Sequence, residues 1–152
     1  MQIEELKIKL ADAFPQCTFE EKSNMTTILI NASDAYALIK YLKTEVNPGF
    51  DTLSCLTAID WPDYMEVVYI LFSRESKTQL IIKSKISDRN SPETKSICDL
   101  WPGAELLECE IFDLFGINFT NHPLLRRVFL GEEWIGYPLR KDYVDEINMI
   151  TL

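Results

Sequence analysis

Three successive runs rich in branched and aromatic residues, at 50–59, 65–72 and 79–86, constrain this chain more than any other feature. Such residues favour a pleated, half-buried surface. The segments between the runs, Asp60-Trp61-Pro62-Asp63 and residues 73–77, have turn composition. The pattern therefore predicts three consecutive strands, hairpin-linked, in one sheet.

The flanks read as helices. Ile3, Leu6, Leu10, Ala13 and Phe14 recur at helical spacing over residues 2–14, with charges on the other face, and Pro15 stops the run. Residues 26–30 read as a strand. Asn31 or Ser33 can then cap a second helix whose apolar set is Ala35, Leu38, Ile39 and Leu42, closed by Asn47-Pro48-Gly49. Residues 88–93, polar and proline-containing, predict a mobile surface loop. Pro102 suits the first position of a third helix running to about Phe115, and Gly116 the position just past its end. From there to Tyr143 the chain is punctuated by Gly and Pro and has no clear period. The order of elements implies an α+β domain over residues 1–152. We expect a two-layer sandwich with helices on one face of a mixed or antiparallel sheet and an irregular C-terminal extension.

With 152 residues, 47% of them hydrophobic, the chain can fill one core without disulfides or metals. A net charge of -9 argues against nucleic acid or an anionic membrane surface as the main partner, since both call for a basic face. Cys17, Cys55, Cys98 and Cys109 are dispersed, without a CxxC or a nearby His. They read as free thiols in a reducing cytoplasm, with no metal or cluster ligation. The charged first ten residues do not resemble a signal peptide, and no apolar run approaches the roughly 20 residues of a membrane span.

The third helix carries an unusual charge pattern. Glu105, Glu108, Glu110 and Asp113 sit among Leu106, Leu107, Ile111, Phe112, Leu114 and Phe115, with no basic residue between Asp99 and Arg126. Like charges at i,i+3 cost about 0.2–0.5 kcal/mol per pair, and an acid near a helix C-terminus roughly 0.3–1 kcal/mol more. A cation is expected to compensate. Arg126 and Arg127 are the nearest, brought back by the loop after Gly116, so Glu108, Glu110 or Asp113 is expected to pair with one of them. The plainer reading is a solvated acidic face. A third is an acid/base pair, but no nucleophile motif, phosphate loop or metal-ligand spacing accompanies it.

These residues also carry a resemblance. Glu108-Cys109-Glu110-Ile111-Phe112-Asp113-Leu114-Phe115-Gly116-Ile117, followed by Asn121-His122-Pro123 and by Arg126-Arg127-Val128, is similar to the signature of the 30 kDa subunit family of respiratory complex I. Trp134-Ile135-Gly136-Tyr137-Pro138-Leu139-Arg140-Lys141-Asp142-Tyr143 resembles the family's second block. Cys109 stands where the family usually has Arg, and Asn121 where Gly is common. The first departure puts in question an ion pair made by the usual Arg, the second the tightness of the turn.

The resemblance implies a structural subunit of the hydrophilic arm of a proton-translocating NADH:quinone oxidoreductase, peripheral on the cytoplasmic side of the inner membrane. It implies a place against the 49 kDa-type (D) subunit and other arm subunits, contact with the membrane only through the complex, and no nucleic acid. The chain itself is expected to hold no cofactor, with FMN, iron–sulfur clusters and quinone in neighbouring subunits. The equivalent small subunit of a membrane-bound hydrogenase or formate hydrogenlyase shares the first block and is the close alternative. An enzyme acting alone through the carboxylates of 105–113 with His122 is the alternative of another class. His122 is read as ordering its turn. Trp134, Tyr137, Pro138, Leu139, Arg140, Lys141, Asp142 and Tyr143 are read as an assembly surface that gains little by packing on its own domain.

Overall fold

The computed structural model describes residues 3–22 and 25–145, so residue 2 of the expected first helix falls outside the described residues. The predicted runs become β3 (Thr52–Asp60), β4 (Met65–Ser73) and β5 (Thr78–Ile86), an antiparallel meander in which Leu56 faces Tyr69 and Tyr69 faces Ile82. β2 (Met25–Asn31) joins β5 in parallel with Ile28 opposite Ile82, and β1 (Thr18–Lys22) pairs antiparallel at the edge. The order β1-β2-β5-β4-β3 makes the sheet mixed, and the expected α+β class stands.

Alternation along the strands decides which face is covered. Ile28, Ile30, Leu56, Val67, Tyr69, Leu71, Leu80 and Ile82 point one way and are buried. Against them pack Leu6 and Leu10 of α1 (Ile3–Ala13), Leu38, Ile39 and Leu42 of α2 (Ala32–Thr44), and Ala104 and Ile111 of α3 (Ala104–Phe115), in one core. Each helix therefore buries its apolar stripe on the same layer, as helical periodicity requires. Among the described residues, no helix is long and apolar enough to cross a membrane.

Several details differ from the sequence reading. β1 has a single apolar residue, Phe19, and β6 (Glu93–Lys95) and β7 (Asn118–Thr120) are too short to show a period, so none was legible. Their parallel pairing, Thr94 opposite Phe119, lays the chain that follows α3 beside the chain that precedes it. α3 starts at Ala104, after a turn through Pro102 and Gly103 in which the Ala104 amide donates to the Trp101 carbonyl at 2.9 Å. Asn31 holds the cap position of α2 but its side chain makes no cap bond, and the Ser33 hydroxyl donates to Asp34 instead. The loop at 88–93 is not free: Arg89 is tied to Asp60, where a buried carboxylate outweighs the loop's polarity.

Candidate functional site

α3 buries two of its four acids completely, Glu108 and Asp113, and the fold satisfies them differently. Gly116 ends the helix with φ 75, and its amide donates to the Phe112 carbonyl at 2.9 Å. The chain then turns back over the helix end. Arg127 Nη1 reaches Asp113 Oδ1 at 2.8 Å and the Asp113 carbonyl at 2.9 Å, while the amides of Val128, Phe129 and Leu130 all donate to Oδ2, at 2.9, 2.7 and 3.1 Å. Burial by itself raises the pKa of this carboxyl, but Arg127 and the three amides outweigh it and bring it down to about 2. The compensating cation is thus Arg127, paired with Asp113, and Arg126 is exposed.

Glu108 pairs with no Lys or Arg among the described residues. Its Oε1 accepts the Ile97 amide at 2.8 Å and its Oε2 the Cys98 thiol at 3.3 Å, with His122 Nε2 at 3.9 Å. Burial raises its pKa, opposed in part by the Ser96 hydroxyl, the Ile97 amide and the Cys98 thiol. Burial, with the carboxylate beside it, pushes the Cys98 thiol up to about 12. Asn121, at φ 63, takes the left-handed conformation that Asn tolerates better than other side-chain-bearing residues, and so turns His122 inward. The Leu124 amide donates to His122 Nδ1 at 3.0 Å, so that nitrogen carries no proton, and Nε2–H donates to the Glu105 carbonyl at 3.0 Å. Cys109 Sγ lies 3.8 Å from the same nitrogen and donates to the Leu124 carbonyl at 3.5 Å.

Among the described residues, Cys98, Glu108 and His122 place donor atoms within 4.8 Å of one another, a set suited in type to Zn²⁺. The histidine does not fit. A ligand His bound through Nε2 carries its proton on Nδ1 and donates it outward, whereas here the Leu124 N–H occupies that position. Glu108 and His122 are also fully covered by protein, which leaves neither side chain facing solvent. The arrangement pins the turn at 121–124 to α3.

The segment 134–143 is bound to its own domain, which corrects the expectation that it gains little there. Arg127 Nη2 donates to the carbonyls of Trp134 and Gly136 at 3.2 and 3.0 Å, and its guanidinium lies 5.1 Å from the Tyr137 ring centre. That ring packs on Gly116 so closely that a Cβ there would stand 2.6 Å from it, and it meets Phe112 edge-on at 6.3 Å. The Leu139 amide donates to the Leu114 carbonyl at 3.0 Å, satisfying a helix-end acceptor. Further on, Arg140 donates to the Arg89 carbonyl and the Lys141 amide to Asp60. Turned outward are the apolar Trp134, Leu139, Val144, and Ile135 at 90% exposure, beside the exposed Lys141 and Asp142, with Phe129 and Leu124 nearby in the chain.

The structure thus gathers Glu108 with His122, and Asp113, Gly116 and Arg127 with Tyr137. Glu110 and Pro123 are left at the margin, half-buried and exposed respectively. Sequence reasoning missed Asp60, Arg89 and Cys98. Asp60 has only the signal of an acid ending an apolar strand, and Arg89 has none.

The buried motif acids of this α+β domain are satisfied from within, and its C-terminal segment turns Trp134, Ile135, Leu139 and Val144 outward. The family model for the 30 kDa subunit of respiratory-chain NADH dehydrogenase matches residues 28–147, and the chain belongs to that family. It is 37% identical over 142 residues to the C-type subunit of the NADH-quinone oxidoreductase of Geotalea uraniireducens, covering 90% of this chain and 84% of that one. With the C-type subunit of Moorella thermoacetica it shares 36% over 137 residues, 89% of this chain and 90% of that one. The C/D-type NADH-quinone oxidoreductase subunit of Phocaeicola vulgatus is 38% identical over 112 residues, covering 73% of this chain. The match spans 22% of that longer protein. A chain of the membrane-bound sulfane sulfur reductase, an archaeal respiratory membrane complex, has the same fold with a TM-score of 0.70 over 97% of this chain and 88% of that one, at 22% identity.

Proposed function

We propose that this chain is a structural subunit of the hydrophilic arm of a proton-translocating NADH:quinone oxidoreductase, docked on the 49 kDa-type (D) subunit on the cytoplasmic side of the membrane. In this reading the redox groups belong to neighbouring subunits and this chain contributes position. The observation that carries it is the C/D-type relative, in which a region like this chain is part of one longer polypeptide named for both subunits. Covalent joining keeps two modules at high effective concentration, an arrangement suited to modules that touch. The exposed side chains of the segment after α3 supply a fitting surface, since aromatic and large aliphatic anchors dominate interface energetics.

The test uses the full chain, tagged, in its native membranes. Ile135→Asp and Leu139→Asp place charges on exposed positions that make no side-chain hydrogen bond in this structure. Both variants are expected to keep the parent melting temperature within a few degrees, and to lose co-purification of the D-type subunit and NADH:quinone reductase activity in membranes. Normal assembly of both would place the docking surface elsewhere. Co-purification of a nickel–iron large subunit in place of a flavin-bearing arm would replace this reading with the hydrogenase-type one.

A further inference from the structure

Arg89 lies outside both blocks of motif residues, yet it is the most connected side chain of the second polar cluster. Its Nε and Nη2 hold the two oxygens of Asp60 at 2.9 and 2.6 Å, and Nε also reaches the Trp61 carbonyl at 3.1 Å. Its Nη1 extends to Asp142 Oδ2 at 3.1 Å, and its own carbonyl accepts Arg140 Nη2 at 3.0 Å. The Lys141 amide donates to Asp60 Oδ2 at 2.7 Å, and Arg140 Nε to Asp142 Oδ1 at 3.1 Å. Three distant stretches of chain are thereby closed on one carboxylate whose side chain is 2% exposed. A planar guanidinium is the group whose fork matches such a bidentate site.

The cluster lies behind a hollow of about 390 Å³ whose rim includes Ile135 and Val144 and whose lining includes Tyr137, Arg140 and Tyr143. Asp142 also lines the hollow and is half exposed, but Arg89 and Arg140 both bind its carboxylate and offset its charge, and the other exposed lining residues, Ile135 and Val144, are apolar. We infer that the Arg89–Asp60 pair is a latch that holds residues 140–145 in the shape that completes this hollow, and that the hollow seats an apolar side chain of the D-type subunit. The inference rests on the docking role argued above. Its own content is that Arg89, a positioning residue remote in sequence, decides whether that surface exists. Without the guanidinium the Asp60 carboxylate loses the fork that sets its position as acceptor of the Lys141 amide, so residues 140–145 lose that attachment while 134–139 stay held to α3 through Arg127, Tyr137 and Leu139.

Hydrogen exchange on the full chain, and incorporation of the same variants into the membrane complex, test it together. Arg89→Ala is expected to lower protection of amides 140–145 at least tenfold, to leave β4 and β5 unchanged, and to reduce incorporation at least tenfold. Asp60→Asn is expected to behave alike, and Arg89→Lys, with charge but no fork, to fall between. Unchanged protection in Arg89→Ala overturns the latch. So does a loss of protection spread across the whole sheet, which would make the pair a general support of the fold. If protection of 140–145 falls yet Arg89→Ala assembles normally while Ile135→Asp does not, the latch inference fails and the docking role stands. If neither variant impairs assembly, the docking role fails and this inference with it.

Discussion

Asp113 and Glu108 lie on one helix and are equally buried, but one is held as an anion and the other is held toward its neutral form. The difference is the guanidinium. Removing either Asp113 or Arg127 strands the other charge, so Asp113→Ala and Arg127→Ala are each expected to cost about 3–5 kcal/mol in denaturant unfolding, with coupling well above about 1 kcal/mol in the double mutant. Because the folded pKa of Asp113 is about 2 against an ordinary 3.8, its contribution is fully present above pH 4 and is lost as pH falls toward 2. The advantage of the parent over Asp113→Asn is expected to shrink by on the order of 2 kcal/mol across that window. Glu108 has the opposite sign. Its raised folded pKa favours the native state at low pH, and that contribution is lost as pH rises through the raised value. Asn121 gives a finer test: at φ 63 a glycine carries no Cβ penalty, so Asn121→Gly is expected to be neutral or slightly stabilising, while Asn121→Val costs about 1–2 kcal/mol.

At the scale of elements, the end of α3 and the start of the C-terminal segment form one joint. Gly116 is required twice there, by its left-handed φ and by the Tyr137 ring that covers it. Gly116→Ala is expected to lower stability by about 1–2 kcal/mol or more, and the added change Tyr137→Ala to recover the part due to the clash but not the part due to φ. Full recovery would mean that the backbone is relaxed at this position. Tyr137→Ala with Arg140→Ala, which a purely external segment would tolerate, is expected to lower the melting temperature by more than a few degrees. Both side chains here face their own domain, Arg140 at 14% exposure.

For the molecule as a whole, the fold converges Cys98 and Cys109 on His122 while Cys17 and Cys55 belong to other regions. Glu108 lies with these two thiols, but the histidine is in the wrong tautomer for a metal bound through Nε2. The purified chain is expected to be colourless, to remain so after anaerobic addition of iron and sulfide, and to show no rise in melting temperature with Zn²⁺. A metal present at 100 times its Kd would stabilise by about 2.7 kcal/mol, a shift that calorimetry would register.

By itself the sequence determined the elements with a strong period: the three-strand meander, the two amphipathic helices that precede it, and the end of α3 at Gly116. Periodicity and turn chemistry are local, so they survive without knowledge of the fold. Local signals also placed an arginine opposite the acids of α3, because that charge pattern demanded one. Only the tertiary structure decided which acid received it, since the choice depends on where the chain returns after Gly116. β6 and β7, three residues each, acquire meaning only through their mutual pairing. The Asp60–Arg89 pair joins residues far apart in sequence. Nothing in the composition of a polar loop marks the one arginine that will meet a buried carboxylate, because burial is a property of the assembled chain.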